Sequence, residues 1–228
     1  MKEDILEQLV EDYFVAQTGW FVKHNIKFRP DKGHANYKTN KDSVHSDIDI
    51  LAFSNKEKGG NRVAVVTCKS WQDGFNPRDW KISLESEPEY NERNEQFKPK
   101  ERWKYFREIT SDKWIRAFID KIKDETGQSD FIYYIAITKL NGSLKDKKEF
   151  ENSKIIKARF KKNKSHIELR IITLEEIITY YSRRIEEKKT NFLEATDVGR
   201  LLQLISAAKL KIHRVDKICQ KKFVLLQF

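Results

Sequence analysis

The chain has 228 residues, of which 39% are hydrophobic, 35% charged and 12% aromatic, and it carries a net charge of +10. The aromatic content argues against disorder, the length suffices for a core that hides roughly 70% of the unfolded surface, and no run nears the ~20 apolar residues a bilayer span needs. The positive surplus points to polyanions, nucleic acid first. It is spread along the chain, with clusters at Lys145–Lys148, Lys161–Lys164 and Lys221–Lys222, and a merely basic surface is the alternative.

Residues 4–17 read as an amphipathic helix, because Ile5, Leu6, Leu9, Val10, Tyr13 and Phe14 recur at helical spacing. Gly19 follows as a breaker. Residues 20–28 form a strand and residues 29–45 a polar loop containing Pro30, Gly33, Asn36 and Asn40. Two strong strands come next, at 47–53 and 62–70, joined by a turn at Gly59-Gly60 and expected to pair as a hairpin. Val63–Val66 is apolar on both faces, as in a central strand.

Residues 74–101 show little periodicity and are expected to be a long loop or short helical insertion. Helices are expected at 99–109 and 111–126, the latter closed by Gly127. A buried strand follows at 131–138, then a basic, hairpin-like stretch at 141–165 and a strand at 166–172. Thr173 and Glu176 have the spacing of a capping box, and a last helix is expected at about 195–209. The whole predicts an α/β (α+β) fold with a mixed central sheet flanked by helices. The expected organisation is one domain over 1–212, with an insertion around 74–127, and a basic and apolar tail over 213–228.

Cys68 and Cys219 lie far apart without zinc-ligand neighbours. They make no disulfide framework, and a reducing, cytoplasmic setting is expected. The acidic, amphipathic N-terminal stretch does not read as a signal peptide, and no membrane partner is expected.

Asp47 and Asp49 stand two apart on one strand, so they are expected on one face. Lys69 ends the next strand with Thr67 on its face, while Cys68 points the other way as a buried, inert thiol. If the strands pair, Asp49 and Lys69 meet at the rim of the sheet. A carboxylate beside a lysine on a basic protein suits metal-assisted phosphodiester cleavage, with the carboxylate holding Mg²⁺ and the lysine stabilising developing charge. The plain alternative is a cross-strand ion pair worth under ~1 kcal/mol. Gln72 could lie near a phosphate. Trp71 reads more readily as a cap on the core than as a base contact. Arg200 and Gln203, on the last helix, could reach DNA, with core packing as the alternative.

The 4–17 helix, Asp49 within Asp47-Ile48-Asp49-Ile50-Leu51-Ala52, and Thr67-Cys68-Lys69 resemble the PD-(D/E)XK superfamily of restriction-endonuclease-like nucleases and Holliday-junction resolvases. The resemblance covers about residues 1–75. It implies a restriction-endonuclease-like core and a Mg²⁺-dependent endonuclease of restriction, defence or repair type, with Mn²⁺ as a substitute ion. DNA is the substrate it implies, RNA not being excluded. The implied catalytic residues are Asp49, Lys69 and a helix glutamate, for which Glu7, at the edge of the apolar stripe, is favoured over Glu11. The implied metal ligands are Asp49, Asp47, Glu7, the backbone carbonyl of Cys68, and Thr67 through a water. Ser70, Gln72 and Arg200 are the implied nucleic-acid contacts. A symmetric homodimer would suit cleavage of both strands.

Thr67 departs from the pattern, which has Glu, Asp or Gln there. Either Asp47, Asp49 and Glu7 supply the charge, or a carboxylate such as Asp73 or Glu85 fills the gap, or the protein binds nucleic acid without cutting it.

Overall fold

The computed structural model describes residues 4–17, 19–86, 102–186 and 197–208. The expected tail at 213–228 and the stretch 87–101 lie outside the described residues. Five strands form one sheet in the order β1 (Trp20–Phe28), β2 (Ser46–Ser54), β3 (Val63–Lys69), β4 (Phe131–Ile137) and β5 (Ile167–Thr173). The first three are antiparallel neighbours; β3, β4 and β5 run parallel. The result is an α/β fold with a mixed sheet covered by helices on both faces.

The sheet sorts its side chains between two cores. On one face Val63, Val65, Tyr133, Ile135, Leu169 and Ile171 meet Leu84 of α3 (Pro77–Glu85), Ile109 of α4 (Arg107–Thr110) and Trp114 and Phe118 of α5 (Asp112–Thr126). Phe150 of α6 (Leu144–Glu151) and Ile156 and Phe160 of α7 (Lys154–Lys162) complete that core. On the other face Ile50, Ala52, Ala64, Val66 and Ala136 receive Leu6, Leu9, Val10 and Phe14 of α1 (Ile5–Val15). Ile177 and Tyr181 of α8 (Leu174–Glu186) and Leu202 of α9 (Asp197–Ala207) close that layer. A short helix, α2 (Thr39–Asp42), interrupts the loop before β2.

Local chemistry explains most boundaries. Asp4 caps α1 by accepting from the Leu6 N–H, Asn76 caps α3 with Pro77 in its first turn, and Gly127 ends α5 in the left-handed region at φ 72°. Thr173 and Glu176 hydrogen-bond reciprocally at the start of α8. Because β3 and β4 are parallel neighbours, the chain between them must cross over the sheet. Residues 74–127 lie within that crossover, and α3, α4 and α5 in it supply much of the first core.

Two expectations are corrected. The stretch 141–165 is no hairpin: it forms α6 and α7, started by a Ser143–Asp146 capping box and by Ser153, and held by Phe150, Ile156 and Phe160. The expected helix at 99–109 is, over its described part, a 3₁₀ segment at Arg102–Phe106 followed by the four-residue α4.

Candidate active site

The site grows out of the end of a hydrogen-bond ladder. The β2–β3 pairing stops at Ile50↔Val66, which leaves the Cys68 N–H without a strand partner on that side. The Asp49 side chain takes over: its Oδ2 accepts from the Cys68 N–H at 2.6 Å and from the Thr67 hydroxyl at 3.3 Å. Asp49 thereby bridges from one strand to the last residues of its neighbour, ending one residue before Lys69.

Strict strand alternation fails where Asp49 sits. Ile48 and Leu51 enter the same core although three apart, while Ile50 and Ala52 enter the other. Across the ladder, between the His24↔Ile50 and Ile26↔Ile48 pairs, Asn25 adopts φ 55°. Both strands change face together there, so a two-residue spacing does not by itself put Asp47 and Asp49 on one side. Asp47 is exposed, and its charge still pushes the Asp49 carboxyl upward.

Asp49 sits above the usual carboxylate range because burial outweighs the attraction of Lys69 and the two hydrogen bonds. Lys69 is half-buried, with Nζ 5.4 Å from the centre of the Phe106 ring. It acts on a second carboxylate too. Glu108, in α4, is 6% exposed and accepts a 2.6 Å hydrogen bond from the Tyr133 hydroxyl. Burial raises its carboxyl, the nearby Lys69 ammonium opposes this, and the Asp49 charge adds to the rise. Tyr133 in turn has its hydroxyl beside Thr67 and within the field of Asp49. Asp49, Thr67, Tyr133, Glu108 and Lys69 therefore gather on one face of the sheet, with Thr67, Tyr133 and Glu108 buried and Asp49 and Lys69 half-buried.

Sequence reasoning missed Glu108. No motif surrounds it, and it lies 39 residues beyond Lys69; the crossover brings it over the end of β3. The one available signal was its place in the Phe106-Arg107-Glu108-Ile109 run, where both hydrophobic residues are fully buried. The two substitutes considered from sequence lie elsewhere. Glu85 accepts from the Ser153 hydroxyl at 2.7 Å and pairs with Lys81 at 3.7 Å, and Asp73 is exposed.

On the opposite face, Asp4 joins the first turn of α1 to the end of β3 by accepting from the Ser70 hydroxyl. This brings Glu7 near Cys68. Burial pushes the Cys68 thiol well up, and the charges of Asp49 and Glu7 push it further, against the opposing effect of Lys69. Glu11 points instead toward His24, 3.5 Å away. Gln72 is exposed; Trp71 stacks on Trp80 at 4.9 Å between ring centres, as part of the core. Arg200 is exposed on α9, whose Leu202 packs on the face away from Glu108.

Among the described residues, no group of three or more His, Cys, Asp or Glu side chains is arranged to hold a metal ion. The fit to Mg²⁺ therefore rests on fewer protein ligands. Asp49 and Glu108 both lie within the field of Lys69, and burial raises both carboxyls. A hard dication held by one or two carboxylates, with water or phosphate oxygens completing its shell, is compatible with that pair. Among the described residues no helix is long and apolar enough to cross a membrane. No family model matches the chain, and no curated protein or solved structure matches it either.

Proposed function

We propose that the protein is a Mg²⁺-dependent nuclease of PD-(D/E)XK type that hydrolyses phosphodiester bonds in DNA. The observation that carries the reading is the Asp49–Cys68 hydrogen bond, which fixes a carboxylate beside Lys69 at the end of the β2–β3 ladder. Glu108 supplies, from the crossover, the second acid that position 67 lacks. Thr67 and Tyr133 orient the two carboxylates through their hydroxyls, and Lys69 offers positive charge where a phosphorane would develop it negatively. Bound Mg²⁺ would polarise the phosphate and acidify a water. Glu7, whose charge is felt at Cys68 from the α1 side of the sheet, would orient water at that end of the site. Incubation with plasmid DNA and Mg²⁺ tests the reading: cleavage should occur and should be lost in Lys69→Ala and in Asp49→Ala.

A second reading keeps the fold and DNA binding but not the cutting. Thr67 in place of an acid, together with a lone Asp49 oxygen serving both neighbouring donors, favours it. Tight binding by a wild-type protein that leaves plasmid intact in Mg²⁺ would select this reading.

A further inference from the structure

The turn that carries Glu108 is too short to hold itself. α4 has four residues, and its N-cap residue, Phe106, makes no side-chain capping bond; a single turn fixes several dihedrals for very few internal hydrogen bonds. Within the segment the Ser111 N–H donates to the Arg107 carbonyl and the Thr110 hydroxyl to the Phe106 carbonyl, each at 3.1 Å. Glu108 and Ile109 are nevertheless 6% and 0% exposed. Contacts from other elements therefore set the place of this turn.

One of them comes from α7. Ile156 and Phe160 seat that helix in the core, and the half-buried Arg159, one position before Phe160, reaches α3 and α4. Its Nη1 donates to the Leu84 carbonyl at 2.6 Å and to the Ile109 carbonyl at 3.1 Å, and its Nη2 donates to the Glu85 carbonyl at 3.1 Å. Leu84 and Glu85 end α3, where helix carbonyls lack helical partners and a cation is favoured. A planar guanidinium can span several acceptors at fixed angles, which an ammonium group cannot. Arg159 thus ties α3, α4 and α7 together, and it grips α4 at the residue after Glu108. From the sheet side the Tyr133 hydroxyl donates to Glu108 itself at 2.6 Å.

We propose that Arg159 is a positioning residue for Glu108: by pinning the Ile109 carbonyl to the C-terminus of α3, it fixes the turn that presents Glu108 to Tyr133. What Glu108 does there rests on the nuclease reading, but its placement by Arg159 can be tested without cleavage.

The test is the NMR signal of tyrosine labelled with ¹³C at Cζ, recorded on the full chain in EDTA at neutral pH. Tyr133→Phe assigns the Tyr133 resonance, and Glu108→Ala gives its position without the carboxylate. Arg159→Met and Arg159→Lys should each move it at least halfway to that position. Ser153→Ala, which removes the α7 cap and a hydrogen bond to Glu85 but not the bond to Ile109, should leave it in place. In Mg²⁺, Arg159→Met should lower the kcat of plasmid cleavage by about 10–10²-fold with little change in KM, and should add no further loss to Glu108→Gln. An unmoved signal in a folded Arg159 variant, an equal shift in Ser153→Ala, an unchanged kcat in an active enzyme, or failure of both Arg159 variants to fold would each overturn the proposal. If the signal moves as expected while wild type leaves plasmid uncut, the placement stands and the nuclease reading falls. If wild type cuts and the signal stays, the reverse holds.

Discussion

The backbone N–H of Cys68 donates to Asp49 Oδ2 at 2.6 Å, where the strand ladder between them has ended. A side chain thus does the work of a backbone acceptor, and it does so one residue from Lys69. Stability and charge are coupled at this point. Asparagine at position 49 keeps the acceptor and removes the buried charge; alanine removes both. Asp49→Asn should be at least as stable as wild type at pH 7, and Asp49→Ala should fall below Asp49→Asn by about 1–3 kcal/mol, the cost of an unsatisfied buried N–H. Urea unfolding of the three proteins measures the difference.

Glu108 gives a pH dependence whose sign follows from its raised carboxyl. Its folded pKa lies above its unfolded one, so its favourable contribution is complete below the ordinary value of about 4.3 and is lost as pH rises through the raised one. Glu108→Gln keeps an acceptor for Tyr133 and cannot ionise. Its melting temperature should exceed wild type at neutral pH and converge with it in acid, at about 2–4 °C for each kcal/mol relieved. A gap that is constant with pH would show that ionisation is not the cause.

The two helix acids separate through Cys68. In a Cys219→Ser background, the Cys68 thiol should react with a disulfide reagent more slowly than a free cysteine at pH 8, since its pKa is pushed up by burial and then by Asp49 and Glu7. Glu7→Gln should speed that reaction, and Glu11→Gln, whose acid faces His24, should leave it unchanged. Pseudo-first-order rates give the comparison directly.

Trp71 follows the lysine but belongs to an aromatic stack with Trp80 and Phe75. Its carbonyl also accepts from the Thr138 hydroxyl at 2.7 Å. Trp71→Ala should cost about 2 kcal/mol or more of stability and leave DNA affinity in EDTA unaltered. Lost affinity with full stability would instead make Trp71 a base contact.

The central strands were legible because Ile50–Phe53, Val63–Val66 and Phe131–Ile137 are apolar runs with few other readings, and the Thr173–Glu176 box marked its helix start correctly. The pair of helices at 144–162 was not, since three buried residues, Phe150, Ile156 and Phe160, make too thin a stripe among lysines. The Ser143–Asp146 capping box and the Ser153 cap there were the signal to weigh. Asp49 and Lys69 could be paired from sequence because the hairpin is local. Glu108 and Asp42 could not: each is a lone acid whose burial depends on contacts made across the crossover, with Tyr133 in one case and Trp114 in the other.

In the proposed nuclease Glu108 acts as the acid that Thr67 is not. Cleavage rates of plasmid in Mg²⁺ for wild type, Glu108→Gln, and the controls Asp73→Asn and Glu85→Gln test this most directly. The expected result is a loss of about 10²–10³-fold in Glu108→Gln alone, with both controls near wild type. A Glu108→Gln protein that cuts as fast as wild type would contradict it.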